Sequence, residues 1–168
     1  CNDCSTDKSL QILEEYQKTC PQLKIINNEA NMKSSYSYNR CIDNATGDYI
    51  AIIDSDDYYL PEIVEVLKQV DGTYDMYYYN MIQKDGKTRE PYDCGHVNWS
   101  GAFKIIKKSF LDDARYGTEG MGDYFFSMAL FNKNPKCKYT NIFAYWYNFP
   151  RDNSVSDQNC KAMGIPHE

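Results

Sequence analysis

The sequence predicts an α/β domain built on a mostly parallel central sheet. Three observations carry that reading. Helical and strand-like patterns alternate through residues 1–82, the order expected of a sheet with crossover helices. The segment DYIAIID (48–54) is apolar without alternation, as in a strand covered on both faces. The chain has 168 residues, 42% hydrophobic and 25% charged, which suits one globular domain rather than a disordered segment.

Taken in order, STDKSLQILEEYQKTCP (5–21) predicts a helix. Ser5 or Asp7 caps it, Leu10, Leu13 and Tyr16 give it an apolar stripe, and Pro21 stops it. LKIIN (23–27) reads as a short strand. MKSSYSYNRCIDNATG (32–47) reads as a helix with Tyr38, Cys41, Ile42 and Ala45 inward and Gly47 as its C-terminal cap. The strand at 48–54 follows, then LPEIVEVLKQV, a helix with proline in its first turn. YDMYYYNMI (74–82) is a strand, and the Asp85-Gly86 pair in QKDGKTRE marks a turn.

The second half is less regular. HVNWSGAFKIIKKSFL (96–111) reads as a strand feeding a short helix. GDYFFSMALFN (122–132) reads as a helix with Phe125, Met128 and Ala129 inward, and KCKYTNIFAYWYNF (136–149) as a strand. The chain opens on a polar turn and a helix, where a parallel sheet normally opens on a strand. An upstream βαβ unit of about 30 residues is therefore expected.

Composition narrows the partners. A net charge of -6 argues against nucleic acid, which needs a basic surface. No apolar run approaches the roughly 20 residues of a membrane span. The seven cysteines are odd in number and irregular in spacing, and the Cys1–Cys4 pair has no second pair. With only His96 and His167 as further ligands, reduced thiols in a cytoplasmic protein are favoured over zinc. The 16 tyrosines are read mainly as sheet residues.

YIAIIDSDDYYLP (49–61) holds the chemistry. Asp54, Asp56 and Asp57 crowd the carboxyl end of a strand, the place where ligands of α/β sheets sit. Carboxylates that close repel one another. A hard cation such as Mg2+ or Mn2+ relieves that repulsion and takes its remaining ligands from water or phosphate. A short acidic turn in solvent is the bland alternative.

The stretches NDCSTDKSLQILEEY and NMKSSYSYNRCIDNATGDYIAIIDSDDYYLP together resemble the core of family-2 glycosyltransferases of the GT-A fold. That family carries a D-D-G-S-T-D turn, an N-x-G…A-R-N-x-G-I segment, A-x-G-E-Y-I, and a D-x-D-D strand end followed by proline. The resemblance is specific over residues 2–61. It continues more weakly through WSGAFKIIKKSFL, GDYFF and YNFPRDNSVS, the last similar to a Y-x-x-R-x-x-S ending.

The resemblance implies a GT-A three-layer sandwich, N-terminally truncated, in a single domain over 1–168. Residues 1–82 would bind nucleotide and metal, and 83–168 the acceptor. It implies an inverting, Mn2+- or Mg2+-dependent transfer from a nucleotide-sugar donor, most often UDP-linked. The acceptor would be a glycan, a lipid-linked sugar or a protein. The expected location is the cytoplasm, extending to the inner face of the membrane. Asp54 and Asp56 match the metal-binding pair, with Asp54 also at the donor. Asp57 matches a third acid, or caps the helix near Pro61. Asp3 matches the acid that contacts the base or ribose; capping is its alternative role, and the preferred one for Asp7. Asn31 and Asn39 match the two asparagines of the donor segment, and Lys33 or Arg40 would supply charge to the phosphates. Asp123 matches the general base of an E-D motif, with capping of the following helix as its alternative role. Trp99 and Tyr145 to Tyr147 would flank the acceptor, with core packing expected for at least half of them.

Five departures stand out. Asn2 replaces an aspartate, Cys4 a glycine, Tyr38 an arginine and Gly122 the glutamate of E-D, and Lys33 stands at a further glycine position. The first four keep open a degenerate homologue acting as a binding or assembly module. A metal-dependent nucleotidyltransferase is the other alternative. The missing first strands imply either a fragment or a partner chain that completes the sheet.

Overall fold

The computed structural model describes residues 1–91, 101–117, 122–151 and 158. Among the described residues there are five α-helices and a six-stranded sheet. The helices are α1 (Ser9–Gln17), α2 (Lys33–Asn44), α3 (Ile63–Leu67), α4 (Lys108–Leu111) and α5 (Gly122–Phe131). The strands are β1 (Tyr49–Ala51), β2 (Tyr58–Tyr59), β3 (Met76–Gln83), β4 (Thr88–Arg89), β5 (Lys104–Lys107) and β6 (Cys137–Tyr147). The strand order is β1-β5-β3-β6-β2, with β4 pairing the end of β3.

The α/β class holds, but the expected mostly parallel sheet is corrected to a mixed one. β3 and β6 pair in parallel; β5 pairs antiparallel with both β1 and β3. β1, β3 and β6 thus point the same way, as their helical connections require. The short β5 enters between β1 and β3 in the opposite sense.

β3 is the centre of the core. Six of its first residues, Met76 to Met81, are buried, and Tyr77, Tyr78, Tyr79 and Tyr145 are almost fully enclosed. The tyrosine-rich run is therefore a sheet interior. Its hydroxyls find partners: Tyr77 donates to Asp71 at 2.8 Å, and Tyr79 to the Ala102 carbonyl at 2.5 Å. Tyr78 stacks on Tyr139 with centroids 5.0 Å apart.

The strand at 48–54 is shorter and more one-sided than its sequence suggests. Ile50 and Ile52 are buried, whereas Ala51 and Ile53 are exposed. Among the described strands β1 pairs only β5, so one edge and one face lack cover. The stretch 23–27 forms no strand; a single parallel bridge joins Asn27 to Asn2, which supplies too little pairing to make a ladder. α2 ends at Asn44, and Ala45 is extended, so Gly47 is not its cap. In α5 the inward residues are Phe126, Ser127 and Leu130, while Phe125 is exposed; packing on β5 and the Gly101–Phe103 turn rotates the helix by one residue. α1 buries none of its residues, and its Asp7 accepts from the Ser9 N–H at 2.9 Å, as a capping acid does. The Asp85-Gly86 turn joins β3 to β4, with Gly86 at φ 83°. Trp99, Cys94, Cys160, both histidines and residues 152–156 of the family-like ending lie outside the described residues.

Candidate active site

The acidic turn after β1 is held from three directions. Its backbone closes through the Asp57 N–H on the Asp54 carbonyl at 3.2 Å. Tyr38, on α2, donates its hydroxyl to Asp54. Tyr145, on β6, donates to Asp57 at 2.6 Å and accepts from the Asp54 N–H at 3.4 Å. Beyond β6, the Asn148 N–H donates to Asp57 at 2.9 Å, and Arg151 pairs with Asp56.

These contacts sort the three acids. Both Asp57 oxygens are used by Tyr145 and Asn148, so Asp57 ties the turn to β6 and does not cap α3. Burial pushes its carboxyl above the ordinary range, against the pull of those two donors. Burial likewise raises Asp54; the Tyr38 hydroxyl and Arg151 oppose it and Asp56 adds to it. Asp56 is the acid that already holds a cation, the Arg151 guanidinium. Asp54 and Asp56 together suit a hard divalent ion that keeps further oxygen ligands from phosphate and water. Among the described residues no group of three or more His, Cys, Asp or Glu side chains is placed to hold a metal ion.

Asp3 forms the opposite wall. It accepts from the Met32 and Lys33 N–H groups at 2.8 Å each and from the Asn28 amide at 2.7 Å. Burial acts to raise its carboxyl, but these donors together hold it below the ordinary range. Asp3 thus anchors the N-terminus of α2. Asn2 bridges the Asn27 side chain and the Ser5 N–H, so the departure from aspartate is absorbed by the turn. Arg40 is spent on the Asn27 carbonyl and the Asn28 side chain. Asn31 and Lys33 are exposed at the start of α2. Between this wall and β1 lies a cleft of about 710 Å3, lined among others by Asp3, Ser37, Tyr38, Ile50, Asp54 and Ser55. That is within the range of small-molecule sites.

Two departures share one backbone feature. Cys4 has φ 59° and Lys33 φ 72°, the left-handed region that glycine enters freely. The turns demand the conformation, and here side-chain-bearing residues adopt it. Gly122 has a different reason. A Cβ there would fall 2.4 Å from the Ser35 hydroxyl, so any side chain requires Ser35 to turn away.

Asp123 opens α5. Its surface is partly exposed to solvent. Desolvation lifts its carboxyl to about 6, with Asp54 adding to the rise and Lys104 opposing it. The acidic turn and the start of α5 therefore share one electrostatic neighbourhood. Lys104 is 1% exposed and donates to the Ser127 hydroxyl at 3.3 Å, one helical turn beyond Asp123. Burial lowers its ammonium to about 8.

The sequence of this site matches known proteins. The profile described as Glycosyl transferase family 2 matches residues 1–136. The chain belongs to glycosyl transferase family 2. A relative named glycosyltransferase EpsE, of Bacillus subtilis (strain 168), is 42% identical over 71 residues, 42% of this chain and 25% of that one. One named for teichuronic acid biosynthesis, TuaG of the same organism, is 28% identical over 89 residues, 51% of this chain and 35% of its own. S. aureus TarS 1-349 in complex with UDP-GlcNAc superposes with TM-score 0.78 at 21% identity, covering 92% of this chain and 50% of that one. The mannosyltransferase PcManGT of Pyrobaculum calidifontis, in complex with GDP-Man and Mn2+, gives 0.68 at 15% identity, covering 98% and 54%. The GT-A architecture is thus shared, and the chain spans about half the length of these solved structures.

Within this family-2 chain Asp54 and Asp56 share the turn after β1, and the charge of Asp54 is felt at Asp123 on α5. Asn39 is placed otherwise: its amide is spent on the Tyr116 backbone, accepting from the N–H at 2.8 Å and donating to the carbonyl at 3.0 Å. Tyr145 is buried beneath the acidic turn. Trp146 stacks on Tyr58 with centroids 4.7 Å apart, and Tyr147 on Phe149 at 5.4 Å. Sequence reasoning passed over Arg151, Lys104 and Tyr116. Arg151 had a signal in the family-like ending. Lys104 and Tyr116 had none, because only tertiary packing places them beside Asp123.

Proposed function

We propose that this chain carries the catalytic core of an inverting, metal-dependent glycosyltransferase. It would move a hexosyl or N-acetylhexosaminyl group from a nucleotide-sugar donor, UDP-linked, to a glycan, lipid-linked or protein acceptor in polysaccharide assembly. The observation that carries the reading is the family-2 profile over residues 1–136, and the acidic turn after β1, held by Tyr38, Tyr145 and Arg151, supports it.

Each residue then has a task. Asp3 and the cleft beside it take the nucleoside, Asn31 edges that entry, and Lys33 offers its charge to the diphosphate. Asp54 and Asp56 would hold Mn2+ or Mg2+, which when bound neutralises charge growing on the leaving diphosphate. The acceptor hydroxyl attacks the anomeric carbon, and its proton passes to Asp123. The bond from that carbon to the diphosphate oxygen breaks, and the electron pair leaves with the nucleotide. One displacement inverts the anomeric centre. A base near 6 is ionised at neutral pH yet still basic enough to help, a contribution of about 10²–10⁴-fold.

Further support comes from the donors held by similar folds, UDP-GlcNAc in TarS and GDP-Man with Mn2+ in PcManGT. The division into a donor part, 1–82, and an acceptor part, 83–168, follows the same logic, as does completion of the sheet beyond β1 by further chain or a partner. No helix among the described residues is long and apolar enough to cross a membrane.

Calorimetry of UDP binding with and without Mn2+, beside Asp56→Asn, tests the reading. Metal-dependent binding that the variant loses supports it, and binding indifferent to both removes the metal from the proposal. Donor turnover releasing pyrophosphate instead of nucleoside diphosphate would make the protein a nucleotidyltransferase.

A further inference from the structure

The segment that follows β6 is tied to the acidic turn by its backbone and touches the turn's second acid with one long side chain. The Asn148 N–H donates to Asp57 at 2.9 Å. Just past β3, the Lys84 N–H donates to the Tyr147 and Phe149 carbonyls at 2.9 Å and 3.1 Å. Arg151 then sets its Nη1 on Asp56 Oδ2, the oxygen that also accepts from the Asn148 side-chain amide at 3.4 Å.

The Arg151 and Asp56 side chains are 47% and 35% exposed. An exposed ion pair shifts a folding equilibrium by a factor of about five at most, so the fold has little need of this one. Its place gives it meaning. Asp56 is one of the two carboxylates suited to a divalent ion, and a guanidinium occupies one of its oxygens. Burial raises the Asp54 carboxyl, and the Arg151 charge opposes that rise, so one cation serves both acids. A guanidinium stays charged at any working pH. A divalent ion brought to the same oxygen would therefore meet a like charge at contact distance, and one of the two has to leave. The backbone at 147–149 is tied down, whereas the half-exposed Arg151 side chain has the length to swing into solvent.

This inference rests on the metal-dependent glycosyltransferase reading. We propose that Arg151 is a built-in counter-cation of the acidic turn, which neutralises Asp56 while no divalent ion is bound and releases it when the ion enters. The turn is then charge-balanced in both states, and the ion pair lowers the affinity of the site for metal.

The test reads metal binding and not turnover. Mn2+ alone is titrated into the chain and into Arg151→Gln, and the free ion is counted by its paramagnetic resonance signal. The same pair is compared in an Asp56→Asn background. In parallel, Mg2+ is added to the wild-type chain while the arginine side-chain nitrogens are followed by NMR. The chain has four arginines, Arg40, Arg89, Arg115 and Arg151, and Arg151→Gln assigns the signal. The expected result is about fivefold tighter Mn2+ binding by Arg151→Gln, the weight of one exposed ion pair. The Arg151 signal of the wild type moves to that of a freely rotating guanidinium as Mg2+ saturates. Equal or weaker Mn2+ binding by the variant, or an unmoved signal at saturation, overturns the inference and leaves the metal reading standing. So does an equal gain in the Asp56→Asn background, because the charge would then act at a distance and not on Asp56. If neither folded protein binds Mn2+, the metal leaves the glycosyltransferase reading and this inference falls with it.

Discussion

The side-chain amide of Asn39 is matched to the backbone of Tyr116, accepting from its N–H at 2.8 Å and donating to its carbonyl at 3.0 Å. One residue of α2 thereby fixes the chain that leads into α5 and Asp123. Asn39→Ala leaves both backbone groups unmatched in a half-buried place. We expect a stability loss of about 1–3 kcal/mol, read by urea unfolding. Turnover should fall more than UDP affinity, because the base is displaced while the nucleoside wall at Asp3 stays.

The carboxyl of Asp123, lifted to about 6, sets a pH dependence. The active form is the carboxylate, so transfer rises with pH through about 6 and is flat above it on this limb. Asp123→Asn should remove nearly all transfer while keeping UDP binding. The linkage to stability has the opposite sign. A carboxyl whose folded pKa exceeds its unfolded value stabilises the fold below the unfolded pKa and loses that contribution as pH rises through the folded one. Asp123→Asn should therefore be at least as stable as wild type at pH 7, and melting curves at pH 4 and pH 7 would show it.

Lys104 faces the same carboxylate from inside the fold. Its charge favours the ionised form of Asp123, so Lys104→Met should move the limb of the rate profile upward. Methionine fills a similar volume without a buried charge, so the fold should survive. Wild type and variant should converge at the pH where Asp123 is ionised in both, above the limb near 6. An unchanged limb would make Lys104 a purely structural residue.

Cys4 and Lys33 both carry left-handed backbone, at φ 59° and 72°. Glycine relieves that conformation but costs more to order. Cys4→Gly and Lys33→Gly should each raise stability by about 0.5–1 kcal/mol. Lys33→Gly should also weaken UDP binding if its ammonium serves the diphosphate, whereas Cys4→Gly should not. The pair thus separates strain from ligand charge in a single set of unfolding and calorimetry measurements.

Local signals made much of the fold readable beforehand. The acidic turn is visible because five largely apolar residues run directly into three acids, and the Asp85-Gly86 hairpin because its turn needs positive φ. The departures at Cys4 and Lys33 were visible as substitutions, yet their cost appears only with dihedral angles. The run 48–54 misled because an apolar strand looks the same whether its second face is covered or not. Phe125 and Phe126 were exchanged because adjacent aromatics give no phase to a helix.

The sequence by itself determined the family, the alternation of elements and the identity of the three acids and Asp123, since each is written in contiguous residues and fixed spacings. Tertiary structure alone decided how they are used. Long-range contacts spend Asp57 on Tyr145 and Asn148, commit Asn39 to Tyr116 and turn β5 against its neighbours. They also bury Lys104 beside the base and set Arg151 on Asp56. The physical reason is that charge, burial and hydrogen bonding act through space, between residues that the order of the chain leaves far apart.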